Sequence, residues 1–269
     1  MTTDIPLPGG RWGDLRKRVL SAIIMVSVGA AEIWLGGSAF AALVIVLTAL
    51  MVWELAAMTA PARRNTPVTL AAMAGAALAA ALVLRTDVAV LFLMVPTLML
   101  ALTPRRDRRL AAAYALAIML AGYGLVTLRN DSGTPTILWL VAVVVASDVM
   151  GYFVGRLVGG PKFWPAVSPK KTWSGTVAGW AGAVLVAMGF LLSGYGTWVL
   201  VPLSVLVAFA GQMGDSAESW VKRRSGVKDA SALIPGHGGV LDRFDALIGA
   251  VVVVMLVRLV WPDAPGLGG

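Results

Sequence analysis

Long apolar runs recur along nearly the whole chain, and they constrain its fold more than any other feature. A helix that crosses a bilayer needs about 20 mostly apolar residues, and several runs approach or exceed that length. Only 13% of the 269 residues are charged, which is well below the share found in soluble domains. Because so few charges cannot cover a surface that faces water, most of the exterior is expected to face lipid.

Nine segments are candidates for membrane-spanning helices. They are Val19–Leu35, Ser38–Ala57, Val68–Leu84, Val88–Leu102, Leu110–Leu128, Ile137–Val154, Gly175–Ser193, Thr197–Gln212 and Ala246–Trp261. The sequence therefore predicts an all-α fold, a polytopic transmembrane helical bundle of about nine spans in a single integral membrane domain, residues 1–269. Residues 19–128 hold the N-terminal helices, and residues 137–261 hold helices and loops that we expect to be catalytic. The eighth run is short and is expected to continue as helix beyond the membrane face.

The basic residues predict how the bundle is oriented. Cytoplasmic loops carry an excess of lysine and arginine, and a cytoplasmic N-terminus places 19 of the 22 basic residues on that side. They are Arg11, Arg16, Lys17, Arg18, Arg63, Arg64, Arg105, Arg106, Arg108, Arg109, Arg156, Lys162, Lys170, Lys171, Lys222, Arg223, Arg224, Lys228 and Arg243, against Arg85, Arg129 and Arg258 outside. This placement accounts for the net charge of +8 without a nucleic-acid partner. A cleaved signal peptide is the alternative for the basic start, but the apolar run continues past Trp34.

The residue inventory restricts the chemistry. The chain has no cysteine, which excludes disulfides, thiolate metal sites and thiol nucleophiles, and its one histidine, His237, excludes a multi-histidine metal site. Any divalent ion must therefore be held by oxygen atoms, which favours magnesium. We also find no internal repeat, which weighs against an inverted-repeat transporter.

Polar residues concentrate between positions 148 and 245, where two smaller clusters come first. Asp148, Tyr152, Gly155 and Arg156 lie at the end of the sixth predicted span, on or next to one helical stripe, and glycine-mediated packing explains them as well as function does. Ser168, Lys170 and Lys171 precede the seventh span, where a helix N-terminus also attracts phosphate. Taken alone, this second cluster equally fits a basic loop that contacts lipid headgroups.

The third cluster is the densest. Asp215, Glu218, Ser219 and Lys222 share one face at the end of the eighth helix, and Arg223, Lys228 and a glycine-rich loop with His237, Gly238 and Gly239 follow. Asp242 and Asp245, which flank Arg243, share a helix face and can share one metal site with Asp215. Carboxylates that hold a metal, beside cations and glycine amides that bind phosphate, are typical of phosphoryl or nucleotidyl transfer. The alternative, a solvated charged loop, does not require carboxylates, glycines and bases at helical spacing.

Residues 219–245 read SWVKRRSGVKDASALIPGHGGVLDRFD. This stretch resembles the defining motif of the phosphatidate cytidylyltransferase family, S-x-x-K-R-x4-K-D-x5-P-x-H-G-G-x-x-D-R-x-D, at every specified position. The residues before it, from Gly211 to Ser219, look like the family's G-x-x-G-D-x-x-E-S approach. The resemblance covers residues 148–245, whereas the N-terminal half agrees only in its hydropathy.

The resemblance implies a reaction in which CTP and phosphatidate give CDP-diacylglycerol and pyrophosphate. It also implies a divalent metal, a helical fold in the bacterial inner membrane with the site facing the cytoplasm, and a homodimer. The catalytic candidates are Asp215, Asp242, Asp245, Lys222 and His237, with the three aspartates as ligands of Mg²⁺ and a second cation left open. The candidates for the CTP phosphates are Lys222, Arg223, Lys228, Gly238, Gly239 and Arg243; for the lipid phosphate, Arg156, Ser168, Lys170 and Lys171; and in support, Asp148, Glu218 and Ser219.

Four other functions are alternatives. A CTP-dependent lipid kinase, or a cytidylyltransferase for another lipid, would need similar residues, and the kinase would release CDP in place of pyrophosphate. A transporter would place its polar residues near the middle of the membrane on broken helices. A purely structural scaffold would not need carboxylates beside a glycine-histidine loop.

Overall fold

The chain folds as a bundle of helices with one small hairpin. A computed structural model describes residues 10–60, 62, 65–84 and 86–262, without the side chains of residues 10–18, 87 and 169. Its helices are α1 (Gly10–Leu35), α2 (Gly37–Thr59), α3 (Thr66–Leu84), a 3-10 helix (Asp87–Leu93), α4 (Met94–Leu102), α5 (Arg108–Asp131), α6 (Gly133–Leu157), α7 (Trp173–Leu192), α8 (Leu200–Ser225) and α9 (Leu241–Val260). Strands β1 (Lys162–Trp164) and β2 (Ser168–Thr172) lie between α6 and α7.

Six helices of the described part are long and apolar enough to cross a membrane: α2, α3, α5, α6, α7 and α8. The shortest of them, α3, has 19 residues and is about 28 Å long at 1.5 Å per residue, close to the thickness of a bilayer core. These helices match six predicted spans and confirm an all-α, polytopic membrane fold. The count of nine spans and the cytoplasmic N-terminus stay predictions.

Some basic residues used to predict the orientation cannot be placed. Arg63, Arg64 and Arg85 lie outside the described residues, as do the side chains of Arg11, Arg16, Lys17 and Arg18.

The fourth predicted span, Val88–Leu102, is divided in the structure. Its first part is the 3-10 helix, and its second part is α4, which has nine residues and is about 14 Å long, too short to cross a bilayer alone. Pro96 lies in the first turn of α4. Proline has no amide hydrogen, so it suits the start of a helix and disfavours a continuous helix through that position.

Glycines bring α6 and α7 into backbone contact. A Cβ atom on Gly175 would lie 2.6 Å from the carbonyl oxygen of Gly151 and 3.2 Å from the Cα atom of Gly155. The N-terminus of α7 is capped by Thr172, whose hydroxyl accepts a hydrogen bond from the Gly175 amide at 3.2 Å. Glycine-mediated packing, one of the two alternatives that the sequence left open for this end of α6, is therefore present, and α7 is the partner.

Helices α8 and α9 also pack backbone to backbone. A Cβ atom on Gly214 would collide with the carbonyl oxygen of Asp245, and one on Gly249 would collide with the carbonyl oxygen of Ala210. Helix α8 continues to Ser225, as predicted for the eighth span. The acidic end of α8 is therefore pressed against the acidic start of α9.

The loop between α6 and α7, which the sequence suggests is irregular, forms an antiparallel hairpin. Lys162 pairs with Thr172, and Trp164 pairs with Ser168. Gly159 and Gly160 precede it with positive φ angles of 62° and 100°, which glycine adopts most readily. The hairpin places Lys170 and Lys171 directly before the N-terminus of α7.

Candidate active site

A cavity of about 680 Å³ lies where four helix ends meet the hairpin. These are the C-terminal parts of α6 and α8 and the N-terminal parts of α7 and α9, which in an up-and-down bundle lie on one side of the membrane. The described residues that line it include the predicted site residues Asp148, Arg156, Lys170, Lys171, Asp215, Asp242 and Asp245. The structure therefore brings together side chains that are up to 97 positions apart in the sequence.

Three carboxylates within this region can approach a single ion. Asp215 and Glu218 on α8 and Asp245 on α9 offer oxygen atoms that all lie within 4.8 Å of one another. Glu218 is fully buried, and its Oε1 atom has no hydrogen-bond partner. A buried carboxylate oxygen without a partner is costly unless a cation or a donor satisfies it. Because the ligand atoms are all carboxylate oxygens, these three residues, the acidic trio, suit a hard cation such as Mg²⁺.

Asp242 lies beside this trio and has other partners. Its Oδ1 atom is 2.5 Å from the Lys222 Nζ atom, and its Oδ2 atom accepts hydrogen bonds from the amides of Ala230 at 2.9 Å and Gly239 at 2.7 Å. Lys222 also lies 2.5 Å from Glu218 Oε2. Lys222 therefore bridges Asp242, which binds the loop amides, and Glu218, a member of the acidic trio.

Two carboxyl groups at the start of α9, ahead of the predicted ninth span, have shifted pKa values. Burial, followed by the negative charge of Asp215, raises the pKa of Asp245 to about 8. Burial also acts to raise the pKa of Asp242, but hydrogen bonds from Lys222 and the Gly239 amide outweigh it and lower that pKa. The repulsion between Asp215 and Asp245 is what a bound cation would relieve.

Lys171 is engaged with the acidic trio. Its Nζ atom lies 2.6 Å from Asp215 Oδ2 and donates to the carbonyl oxygen of Gln212 at 2.7 Å. Its neighbour Lys170 is exposed and lines the cavity. Arg156 donates to the hydroxyl of Tyr152 at 2.7 Å at the outer part of the cavity.

The remaining predicted residues lie outside the lining of this cavity, as far as the described part of the chain shows. They are Ser168, Glu218, Ser219, Lys222, Arg223, Lys228, His237, Gly238, Gly239 and Arg243. The His237 Nδ1 atom is 2.7 Å from the hydroxyl of Ser21 on α1. The Gly239 amide already donates a hydrogen bond to Asp242, so it could bind a phosphate only if this hydrogen bond broke.

Sequence reasoning missed Glu54, which lies on α2 and is fully buried. Its carboxylate accepts hydrogen bonds from the Ser231 hydroxyl at 2.5 Å and from the amides of Val240 at 2.9 Å and Leu241 at 2.6 Å. A Cβ atom on Gly239 would lie 2.6 Å from Glu54 Oε1. Glu54 therefore caps the N-terminus of α9 and explains why glycine stands at position 239. A single carboxylate within an apolar predicted span was the available signal.

Tyr114 on α5 was also missed. It is 6% exposed, and its hydroxyl has no hydrogen-bond partner in the described structure. The phenol lies within electrostatic range of all three carboxylates of the trio and of Asp242. An aromatic residue in an apolar helix carries no sequence signal for such a position.

Residues 16–261 match the model of the cytidylyltransferase family. The chain belongs to this family. It is 35% identical over 264 residues to a phosphatidate cytidylyltransferase of Brucella suis biovar 1 (strain 1330), which covers 94% of this chain and 97% of the relative. It is 34% identical over 260 residues to the phosphatidate cytidylyltransferase of Brucella abortus biovar 1 (strain 9-941), covering 93% and 95%.

A more distant group matches the chain over a shorter stretch. The phosphatidate cytidylyltransferase of Staphylococcus saprophyticus subsp. saprophyticus (strain ATCC 15305) is 38% identical over 143 residues, which are 51% of this chain and 55% of the relative. The full-length similarity to the Brucella proteins extends the family assignment to the N-terminal helices, where the sequence motif offered nothing to compare.

Proposed function

We propose that this chain transfers the cytidylyl group of CTP to phosphatidate, which gives CDP-diacylglycerol and pyrophosphate. The observation that carries the proposal is one cavity in which the carboxylates Asp215 and Asp245, with Glu218 beside them, face the cations Lys170 and Lys171 at one end of the bundle. Membership of the cytidylyltransferase family supports the nucleotide chemistry, and the names of the Brucella relatives support the lipid substrate.

The reaction needs one phosphorus–oxygen bond to form and one to break. A phosphate oxygen of phosphatidate attacks the α-phosphorus of CTP, and the bond from that phosphorus to the bridging oxygen of the β-phosphate breaks as pyrophosphate leaves. Because the lipid phosphate is already an anion near neutral pH, no general base is required. The protein's contribution is to position two anions and to neutralise their charge.

The acidic trio fits a magnesium ion. Asp215, Glu218 and Asp245 would hold it, and the unpartnered Oε1 atom of Glu218 supports this choice. Bound there, Mg²⁺ would neutralise charge on the phosphates of CTP. Asp242, predicted as a ligand from the sequence, has its oxygens on Lys222 and two loop amides, so we propose that it orients Lys222.

The cations divide into two groups by position. Lys222, Arg223, Lys228 and Arg243, with the glycine loop, are proposed to bind the triphosphate of CTP on the side of α8 and α9. Arg156, Lys170 and Lys171, with Ser168 near the other end of the hairpin, are proposed to bind the lipid phosphate.

Exposed apolar side chains support this place for the lipid. Phe153 and Leu157 on α6 are 57% and 83% exposed beside the outer part of the cavity, and Trp164 on the hairpin is 47% exposed. Acyl chains can therefore remain in the bilayer while the phosphate enters the cavity.

The test uses the purified full chain in detergent with CTP, phosphatidate and magnesium. Pyrophosphate and CDP-lipid are followed together for the wild type, for Asp215→Asn, and for the matched control Asp131→Asn. Asp131 is an exposed carboxylate at the far end of α5. The expected result is stoichiometric pyrophosphate and CDP-lipid that fall about 10²-fold or more in Asp215→Asn and persist in the control. Release of CDP with a newly phosphorylated lipid would instead identify a kinase.

We also propose nine spans, a cytoplasmic N-terminus, a site that faces the cytoplasm of a cell inner membrane, and a homodimer. Because the chain has no cysteine, single cysteines introduced at Thr197 and Ala232, before and after α8, can be labelled without background. In intact cells an impermeant maleimide is expected to label the cysteine at position 197 only. Labelling of position 232 instead would reverse the orientation. The mass of the protein in detergent, by light scattering, tests the dimer.

A further inference from the structure

A second cleft lies next to α8 and has a different lining from the candidate active site. Its volume is about 830 Å³. The described residues that line it are Pro104, Arg105, Asp107, Arg108, Arg109, Leu110, Trp220 and Arg224. None of the residues assigned above to catalysis, metal or substrate belongs to this set.

The two cavities lie on opposite faces of the last turns of α8. Residues two apart on a helix point about 200° away from each other. Glu218 and Lys222 face the acidic trio, so Trp220 and Arg224, each two positions further along, face away from it. The guanidinium group of Arg224 lies over the Trp220 ring, 5.3 Å from its centre, and covers one face of that ring.

The described residues that line this cleft carry an excess of positive charge. Among the described residues that line it, four are arginines and one is an aspartate. Asp107 pairs with Arg224, at 3.0 Å from its Nε atom. Arg108 and Arg109 are exposed and form no ion pair within the described part of the chain. Arginine presents a planar fork of donors that matches the oxygens of a phosphate group.

The loop that carries these arginines has a defined shape. The Arg105 side chain donates to the carbonyl oxygen of Leu100 at 3.1 Å and to the Thr59 hydroxyl at 2.9 Å, which ties the loop to the ends of α4 and α2. Asp107 then has a left-handed conformation, with φ of 50°, and α5 begins at Arg108. The Asp107 side chain does not cap α5, so the positive dipole end of this helix lies at the residues that line the cleft.

The cleft lies at the depth of lipid headgroups. Two helices that are long and apolar enough to cross the membrane end here, since α5 starts at Arg108 and α8 ends at Ser225. Leu102 beside the cleft is 73% exposed and Trp220 is 41% exposed, and tryptophan is typical of the membrane–water interface.

We infer that this cleft binds the headgroup of an anionic phospholipid that is neither substrate nor product, with Arg108 and Arg109 on its phosphate. The site shares no residue with the catalytic cavity, so lipid binding to it can be tested apart from the proposed function, on which only the words substrate and product rest. Its position on the reverse face of the α8 turns that carry Glu218 and Lys222 would let the lipid composition of the membrane act on the active site.

The test measures binding rather than turnover. The full chain in a neutral detergent is titrated by calorimetry with short-chain phosphatidylglycerol, with short-chain phosphatidylcholine and with inorganic phosphate. The variants are Arg109→Ala and Arg108→Ala/Arg109→Ala. Arg106→Ala is the matched control, because it removes an equal charge from the same loop at an exposed residue outside the cleft.

The expected result is saturable binding of phosphatidylglycerol and none of phosphatidylcholine. The dissociation constant should rise about fivefold in Arg109→Ala and about 30-fold in the double variant, and it should not change in Arg106→Ala. An equal loss in Arg106→Ala would mean a diffuse basic surface and would overturn the site. Inorganic phosphate that binds as tightly, or CTP that displaces the lipid, would also overturn it. The first would show a site for free anions, the second a part of the nucleotide site.

Discussion

The helices before and after residue 132 bury polar groups in different ways. In the C-terminal half, carboxylates from α6, α8 and α9 and lysines from the hairpin converge on one cavity. In the described part of the N-terminal half, the carboxylate of Glu54 lies against the polar loop between α8 and α9, and it accepts hydrogen bonds from Ser231 in that loop and from the amides of Val240 and Leu241 at the start of α9. The first arrangement leaves charged groups available to a substrate, whereas the second uses one carboxylate to fix the start of α9.

This difference shows that the N-terminal helices are more than a membrane anchor. Glu54 on α2 accepts hydrogen bonds from the amides at the start of α9, and α9 is the helix that carries Asp242 and Asp245. Tyr114 on α5 places a buried hydroxyl in the same region. The geometry of the acidic trio therefore depends on residues that lie far from the family motif.

The largest effect is expected from Glu54→Ala, which tests whether the N-terminal helices support the start of α9. The change leaves the buried amides of Val240 and Leu241 without an acceptor, and we expect it to lower the free energy of unfolding by about 3–5 kcal/mol. Glu54→Gln, which retains one acceptor oxygen, should lose less. Thermal unfolding of the purified chain in detergent measures both, with Asp131→Asn as the control. Wild-type stability in Glu54→Ala would mean that the hydrogen bonds between Glu54 and the start of α9 contribute nothing to the stability of the fold.

The next prediction separates two neighbouring lysines. Lys171 touches Asp215, whereas Lys170 is exposed. We expect Lys171→Ala to reduce kcat about 10²-fold, because a half-buried carboxylate in the trio loses its cation. Lys170→Ala should mainly raise KM for phosphatidate, and by about tenfold or less. Steady-state kinetics on the two variants checks this, and identical behaviour would mean that the contact with Asp215 adds nothing to the role at the lipid phosphate that both lysines share.

Packing of the C-terminal half is tested by Gly249→Ala. The added Cβ atom meets the carbonyl oxygen of Ala210 and must push α9 from α8, at a cost of about 1–3 kcal/mol. We expect weaker magnesium binding as well, since Asp215 and Asp245 lie on the two separated helices. Gly189→Ala on α7 is the matched control, because nothing lies within 4 Å of its added Cβ atom. Equal magnesium affinity in both variants would show that the contact between α8 and α9 does not set the distance between Asp215 and Asp245.

The smallest effect concerns the link between α1 and the glycine loop. Ser21→Ala removes the hydrogen bond to His237, which is worth about 1 kcal/mol. If the loop binds the triphosphate, KM for CTP should rise up to about fivefold with little change in kcat. Ser38→Ala, an exposed serine at the start of α2, serves as the control. A change in kcat alone would place His237 in the chemical step.

Much of the site could be predicted because the sequence places its residues close together. The spacing of Asp215, Glu218 and Lys222 follows from the helix period alone, and Asp242 and Asp245 lie one turn apart. The sequence did not reveal which of these carboxylates face one another. Asp242 points to Lys222 and the loop amides, and Glu218 joins the trio, because the glycine contact between α8 and α9 sets how the two helices are rotated.

By itself the sequence determined the class of fold, the family and the cluster of residues that carries the chemistry. Apolar run length and residue type act locally, so they can be recognised without knowing what packs against what. Tertiary structure alone decided that Lys171 pairs with Asp215 and that Glu54 caps α9. Glu54 and the amides it binds are more than 180 residues apart, and only the packing of α2 against α9 brings them together.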